Sequence, residues 1–309
     1  PDVQQEVILF LGEKHGLNKE GNNRSKINVI ETKNLNCLKK IDFSFNGYKN
    51  VNQNEDKWIR YFLTGEQNKL INMIKNHNSF RSFDEVAKIN VGITTGKNSY
   101  FSVNKDLVNK YDLKDVTLPL IGRSSHIKGV YYTNEDWKDH IEEGKPVFLI
   151  NFPEKPKENF PQKHIKYIEI GKEREVHKGY KCSIRDYWYS VPSVWVPDAF
   201  LLRRNNTFPR FVLNRVDAVS TDTMHRIKFN KGLNHEKVLL SYYNSITLAF
   251  TEIEGRSYGG GVLEILPGEL RKVPLPNLHN LDDKIAKQLL TKIDNALRTY
   301  KSLGDIEKI

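Results

Sequence analysis

The run Lys237-Val-Leu-Leu-Ser-Tyr-Tyr-Asn-Ser-Ile-Thr-Leu-Ala-Phe250, with Gly255-Arg-Ser-Tyr-Gly-Gly-Gly261 and Val262-Leu-Glu-Ile-Leu266 close behind it, decides the fold class. Apolar residues at helical spacing give way to a glycine-rich turn and then to a short run of strand length. Around this stretch, residues 86–276 alternate short β-like runs with turn residues. The strands expected there are 100–103, 147–152, 167–170, 194–196, 211–214 and 262–266, with 237–250 as the helical exception. This pattern predicts an α+β fold of mixed, mostly antiparallel sheets with flanking helices.

Toward the ends the pattern changes. Residues 3–11, Val-Gln-Gln-Glu-Val-Ile-Leu-Phe-Leu, read as a buried strand, a polar loop follows, and residues 27–30 read as a second short strand. Trp58, Tyr61 and Phe62, then Leu70, Ile71 and Ile74, predict two helices. Leu281, Ile285, Leu289, Ile293 and Leu297 recur in steps of four and predict a C-terminal amphipathic helix, capped by Asn280 with Asp282 and Asp283 in its first turn. The expected division is therefore 1–50, a strand and loop; 51–277, the main domain; and 278–309, the C-terminal helix.

The chain has 309 residues, 38% of them hydrophobic, enough to bury a core and to exclude disorder as its main state. No apolar run approaches the roughly 18 residues of a membrane helix, so no membrane partner is expected. With Cys37 and Cys182 as its two cysteines and no secretory leader, the chain reads as reduced and cytoplasmic, and Pro1 in place of Met reads as a cut from something longer. Lys and Arg total 48 against 38 Asp and Glu, a net charge of +10. Between Lys172 and Lys228 lie 11 basic and 6 acidic residues, including 7 of the 14 Arg, whose planar fork suits phosphate and guanine.

Several motifs approach known chemistry and stop short of it. Gly92-Ile-Thr-Thr-Gly96-Lys97-Asn98 has three residues between its glycines and Asn after Lys, where a nucleotide-binding loop needs four and then Ser or Thr. Asn151-Phe-Pro-Glu154 lacks the aromatic fourth residue that stacks on a flipped base. Asp115, Glu143 and Lys145 imitate a magnesium nuclease triplet, but Gly144 and the polar surroundings make them a solvated turn. The His and Cys spacings fit no metal site, and Gly-x-Ser-x-Gly is absent.

What remains is a series of basic, polar and glycine-containing segments suited to base and phosphate contact. They supply Lys97 and Asn98; Arg123, Ser124, His126 and Lys128; Lys181, Ser183 and Arg185; Arg203 and Arg204; Thr221, Thr223, His225 and Arg226; and Arg256 and Tyr258. Tyr187, Trp188, Trp195 and Phe200 read as core.

The same segments, in this order, resemble the C-terminal specificity region of gamma-class, TaqI-like adenine DNA methyltransferases of restriction-modification systems. The matching pieces are Val3-Gln-Gln-Glu-Val-Ile8, Val91-Gly-Ile-Thr-Thr-Gly-Lys-Asn-Ser-Tyr-Phe101, Ile121-Gly-Arg-Ser124, Tyr187-Trp-Tyr-Ser-Val-Pro-Ser-Val-Trp-Val-Pro197, Ser220-Thr-Asp-Thr-Met-His-Arg226 and residues 244–264. The resemblance implies that residues 1–50 are the remnant of an upstream methyltransferase domain and that 51–277 form the target recognition domain. It places the S-adenosylmethionine loop and the Asn-Pro-Pro-Tyr site upstream, so no catalytic, cofactor-binding or metal-binding residue is expected here. The full enzyme would flip an adenine and methylate its exocyclic amine while this region reads double-stranded DNA. Arg123, Arg185, Arg203, Arg204 and Arg226 then stand as base or backbone readers, and Lys97, Lys128 and Lys181 as phosphate contacts. Two other classes stay open: a free-standing DNA specificity subunit, since Pro274-Leu-Pro276 before a helix is similar to such subunits, and a nuclease.

Overall fold

The computed structural model describes residues 26–30, 35–39, 49–51, 57–258 and 260–300. The chain divides into two compact units, Pro1–Phe80 and Arg81–Ile309. The expected strand at 3–11 lies outside the described residues.

In the first unit Lys26–Ile27 pairs antiparallel with Lys49–Asn50, so of the strand expected at 27–30 only Ile27 is in a ladder. The helix Gly65–Lys75 starts where Thr64 and Gln67 exchange side-chain-to-backbone hydrogen bonds, satisfying two of the free amides at its start. Of the two helices expected here the first is a single 3-10 turn, Trp58–Tyr61. Arg60 from that turn bonds Asn68 and Asn72 on the helix.

The two larger sheets of the second unit, with the helices around them, are consistent with the expected α+β class. The five-stranded sheet runs Ala87–Val91, Met224–Phe229, Ala199–Leu202, Phe211–Asn214 and Tyr131–Tyr132, antiparallel except for the last pair. The four-stranded sheet runs Val219–Ser220, Thr117–Ile121, Phe148–Ile150 and Ser102–Val103, with only the first pair parallel. Leu120, Leu149, Ile150 and Val103 pack on Tyr100, Tyr167 and Phe152 as one core; Phe200, Val212 and Met224 belong to a second.

Several expected elements change type. Residues 167–170 lie in the helix Gln162–Glu173, because Tyr167, Ile168 and Gly171 share a buried face while Lys166 and Lys172 stay in solvent. Tyr100 and Tyr167 stack at 4.9 Å and each donates its hydroxyl to the other's carbonyl, at 3.3 and 2.7 Å. Gly171 has no alternative there, since a Cβ would stand 2.3 Å from Trp188 and 2.6 Å from Tyr100. Residues 100–103 split into the helical turn Asn98–Phe101 and the short strand Ser102–Val103. Residues 194–196 join no ladder. The single helix expected at 237–250 is two, His235–Tyr242 and Ser245–Glu254, separated at Asn244, whose side chain accepts from Thr247 N and caps the second.

The C-terminal helix is Asp283–Thr299, and its cap is Asp282, which accepts from Lys284 and Ile285 amides, rather than Asn280. It belongs to the second unit and is not a separate piece. Asp294 accepts from Val130 N at 2.7 Å and Tyr131 N at 3.2 Å. Arg298 grips Asp136 with two bonds, at 2.7 and 3.0 Å, and also bonds Asp294 and the Tyr131 carbonyl.

Burial raises the Asp136 carboxyl, but the Arg298 and Thr133 hydrogen bonds and the Arg298 charge outweigh it and hold the group below its ordinary 3.8. The stability this confers is present above 3.8 and is lost as pH falls through the depressed folded value. Arg298→Ala strands a buried carboxylate and should cost about 3 kcal/mol at neutral pH. In urea unfolding that cost should shrink as pH falls, because burial without Arg298 makes the stranded carboxyl easier to protonate than the paired one. A pH-independent cost would show that the pair contributes packing alone.

Candidate nucleic-acid interface

Three turns are chained together at one end of the two sheets. The strand Ala87–Val91 ends at Gly92, whose amide donates to Met224 O at 2.9 Å, and Ile93 N donates to Ser220 O at 2.8 Å, with Ile93 bridging Thr221. A Cβ on Gly92 would lie 1.9 Å from the Thr221 carbonyl, so only glycine lets the chain pass. Because Val219–Ser220 pairs with Leu120 and Ile121, the turn after Ile121 falls on the other flank, and Thr221 Oγ1 lies 3.5 Å from Gly122 O. The turns at 93–98, 122–125 and 221–223 are thus neighbours although they are far apart in sequence.

A fourth segment is fixed to the first by Arg185. Its guanidinium donates to the carbonyls of Thr94 at 3.1 Å, Thr95 at 2.9 Å and Ser190 at 3.1 Å. Gly96, at φ +89°, sits against the Lys181 and Cys182 side chains. The short helix Tyr180–Ser183 is thereby held beside the 93–98 turn, next to an open cleft of about 430 Å3 whose lining includes Thr94, Glu154, Lys181, Arg185, Asp186 and Tyr187.

The structure sorts the residues singled out in sequence into two groups. Arg185 is a clamp inside the fold rather than a reader. Arg226 lies in the middle of the strand Met224–Phe229, 5% exposed, donating to Val91 O and Ser193 O and stacked 4.5 Å from the Trp195 ring; it too is withdrawn from direct contact. His225 is buried with Nε2 2.6 Å from Ile265 O, and Thr221 is buried beneath the turn. His126 is buried against His140, ring centroids 4.6 Å apart, and the exposed Lys128 lies 3.8 Å from Asp139. Thr223 is half-buried on Thr221, while Asn98 and Ser183 stay exposed, Asn98 accepting from the Thr95 hydroxyl and Ser183 donating to Tyr180 O.

Lys97, Arg123 and Lys181 remain exposed, and among the described residues none of them meets a carboxylate; Ser124 is exposed beside Arg123. Arg203, Arg204 and Tyr258 gather on Glu264, and Arg256 on Glu269. Sequence reasoning missed both carboxylates. Their one signal was position, Glu264 closing the run that follows the glycine-rich turn. Phe200 is fully buried and Tyr187 and Trp188 pack against the core, as expected.

Of the motifs set aside, Glu143 pairs with Lys145 and Asp115 lies 3.4 Å from His164, and among the described residues no three His, Cys, Asp or Glu converge on a metal-sized site. No described helix is long and apolar enough to cross a membrane.

Residues 55–309 match the family described as type II methyltransferase M.Eco57I, C-terminal domain. The curated protein type II methyltransferase M.AccI of Acinetobacter calcoaceticus is 26% identical over 295 residues, 90% of this chain and 52% of that protein. The chain therefore spans about half the length of that relative. The crystal structure of the type IIG restriction endonuclease BpuSI aligns with 74% of this chain and 28% of its own at 14% identity and a TM-score of 0.45, too loose to carry an argument.

Burial, reinforced by the neighbouring His140, Lys145 and Arg123, pushes His126 down to about 4 from its ordinary 6.5. Between these two values the unfolded chain takes up a proton that the fold refuses, so stability should fall as pH drops from 6.5 to about 4. His126→Phe, which keeps a ring on His140, should lessen that fall in urea titrations; an unchanged slope would mean that His126 is protonated in the fold.

Proposed function

The chain belongs to the family of the type II methyltransferase M.Eco57I C-terminal domain, and from that premise we propose that it is the DNA-reading region of a site-specific adenine methyltransferase of the TaqI-like, gamma class. Its partners are double-stranded DNA and a methyltransferase domain that precedes it in the longer protein. That domain carries the transfer from S-adenosylmethionine to the adenine exocyclic amine. The glycine-rich turn closest to a cofactor loop, residues 92–98, does not fit the cofactor: its glycines are packed by Thr221, Lys181 and Cys182 of this chain. No step of the methyl transfer is assigned to these residues.

One observation carries the reading. The fold consumes some of its cations internally, Arg185 and Arg226 on backbone carbonyls and Arg298 on carboxylates, yet leaves Lys97, Arg123 and Lys181 exposed, without acidic partners among the described residues, on segments that it stitches together. A backbone held rigid beneath such cations suits the phosphates of a duplex, which bind by releasing counterions.

Fluorescence anisotropy with a random duplex, measured over a salt series, tests this. Affinity should fall steeply with salt, and the triple variant Lys97→Ala, Arg123→Ala, Lys181→Ala should flatten the slope of log K against log salt by about 0.9 for each phosphate no longer neutralised. No binding at low salt, or a variant that binds as the native chain does, would remove the support for DNA reading.

A further inference from the structure

Glu264 ends the strand Val262–Glu264, which lies between Arg204–Asn205 and Arg256–Tyr258 in a three-stranded antiparallel sheet. The register places Arg204, Glu264 and Arg256 in one cross-strand row. The Glu264 side chain is 5% exposed. Its Oε1 accepts from Arg203 Nε at 2.9 Å and Arg204 Nε at 3.1 Å, and its Oε2 accepts from the Tyr258 hydroxyl at 3.0 Å. Arg256 repeats the arrangement, giving its Nε to Glu269 at 2.7 Å, while Glu269 also accepts from Leu266 N.

A buried carboxylate needs compensation, and one arginine bound through two nitrogens would supply it most compactly. Here two arginines share one oxygen, each through Nε alone. Among the described residues the η-nitrogens of Arg203 and Arg204 have no hydrogen-bond partner, and the Arg204 side chain is 68% exposed. The carboxylate thus holds each guanidinium through Nε and leaves its far edge, two parallel N–H donors, unbonded among the described residues; the Arg203 side chain is 32% exposed. The backbone is fixed as well: Arg203 N donates to Thr223 O at 3.2 Å and Ile265 N to Arg203 O at 3.0 Å, which joins this sheet to the chained turns.

A phosphate attracts a cation from many directions, and a flexible lysine serves it well. Fixing the angle of an arginine matters when the partner offers two acceptors in one plane. In the major groove guanine alone does so, through O6 and N7 on one base edge. We propose that Arg203 and Arg204 are the guanine-reading residues of this chain and that Glu264 is their positioning residue. The inference rests on the DNA reading above and adds to it the base recognised and the group that orients its readers.

Selection from a duplex library with a randomised core tests it, using the chain itself alongside Arg203→Lys, Arg204→Lys and Glu264→Gln, with thermal melting as the check on folding. The native chain should enrich a guanine at a fixed position. Each arginine variant keeps the charge and should lower the preference for that guanine by roughly tenfold or more while leaving other positions alone. Glu264→Gln should relax the same position although it contacts no DNA. Arg204→Lys sits at the surface and reads the inference even where Glu264→Gln weakens the sheet. No selected guanine, or variants that weaken every sequence alike as a phosphate contact does, would overturn the inference and leave DNA binding intact. A chain that binds no library member at low salt would remove both readings.

Discussion

The second unit depends on the crossing of Gly92 over Thr221. There the chain leaves the five-stranded sheet and, through Ile93, borders the strand that edges the four-stranded one. Two backbone hydrogen bonds, Gly92 N to Met224 O and Ile93 N to Ser220 O, stitch the sheets at that point. Any side chain at 92 would force the Thr221 carbonyl away, and losing a pair of buried backbone bonds costs on the order of 2 kcal/mol before packing is counted. The turns that carry Lys97, Arg123 and Thr223 inherit their spacing from this crossing, so the chemistry at the surface is fixed by a hydrogen that glycine carries in place of a side chain.

Charge in this chain divides by direction. Arg226 reaches from the strand Met224–Phe229 to two carbonyls and lies on the Trp195 ring, and burial lowers its pKa, yet a guanidinium keeps its proton and holds both carbonyls. Arg185 does the same for the 93–98 turn. Glu264 is the counterpart with opposite sign. Burial raises its carboxyl, and the Tyr258 and Arg204 hydrogen bonds with the charges of Arg203 and Arg204 bring it below the ordinary range, so it stays an anion behind its arginines. One set of charges builds the platform and another is displayed on it.

Much of this was legible in the sequence where local pattern and tertiary role agree. Phe211–Asn214, Phe148–Ile150 and Val262–Glu264 are short apolar runs between turn residues, and they are strands. The step-of-four leucines and isoleucines near the end are a helix. Tyr167 and its neighbours misled because a stretch as short as Tyr-Ile-Glu-Ile reads equally well on a strand and on a helix, and only Pro161 ahead of it marked a helical start. Arg185, Arg226 and His225 read as DNA contacts because a sequence displays charge and hides the carbonyls that meet it 40 to 135 positions away. Lys97 and Arg123 could be named in sequence but not distinguished from them.

The grip of Asp294 and Arg298 on residues 130–136 bears on the order in which the molecule is made. The amides of Val130 and Tyr131 meet Asp294, and the carboxylate of Asp136, already bonded by Thr133, meets Arg298, in a helix that emerges 162 to 164 positions later. Pairings of such separation form late and slow folding, since a long loop must close before they repay its entropy. Until that helix arrives, the edge strand Tyr131–Tyr132 keeps Arg298's binding site open on a growing chain, and a ribosome that stalls before Asp283 releases a molecule whose two sheets are complete but whose edge is uncovered.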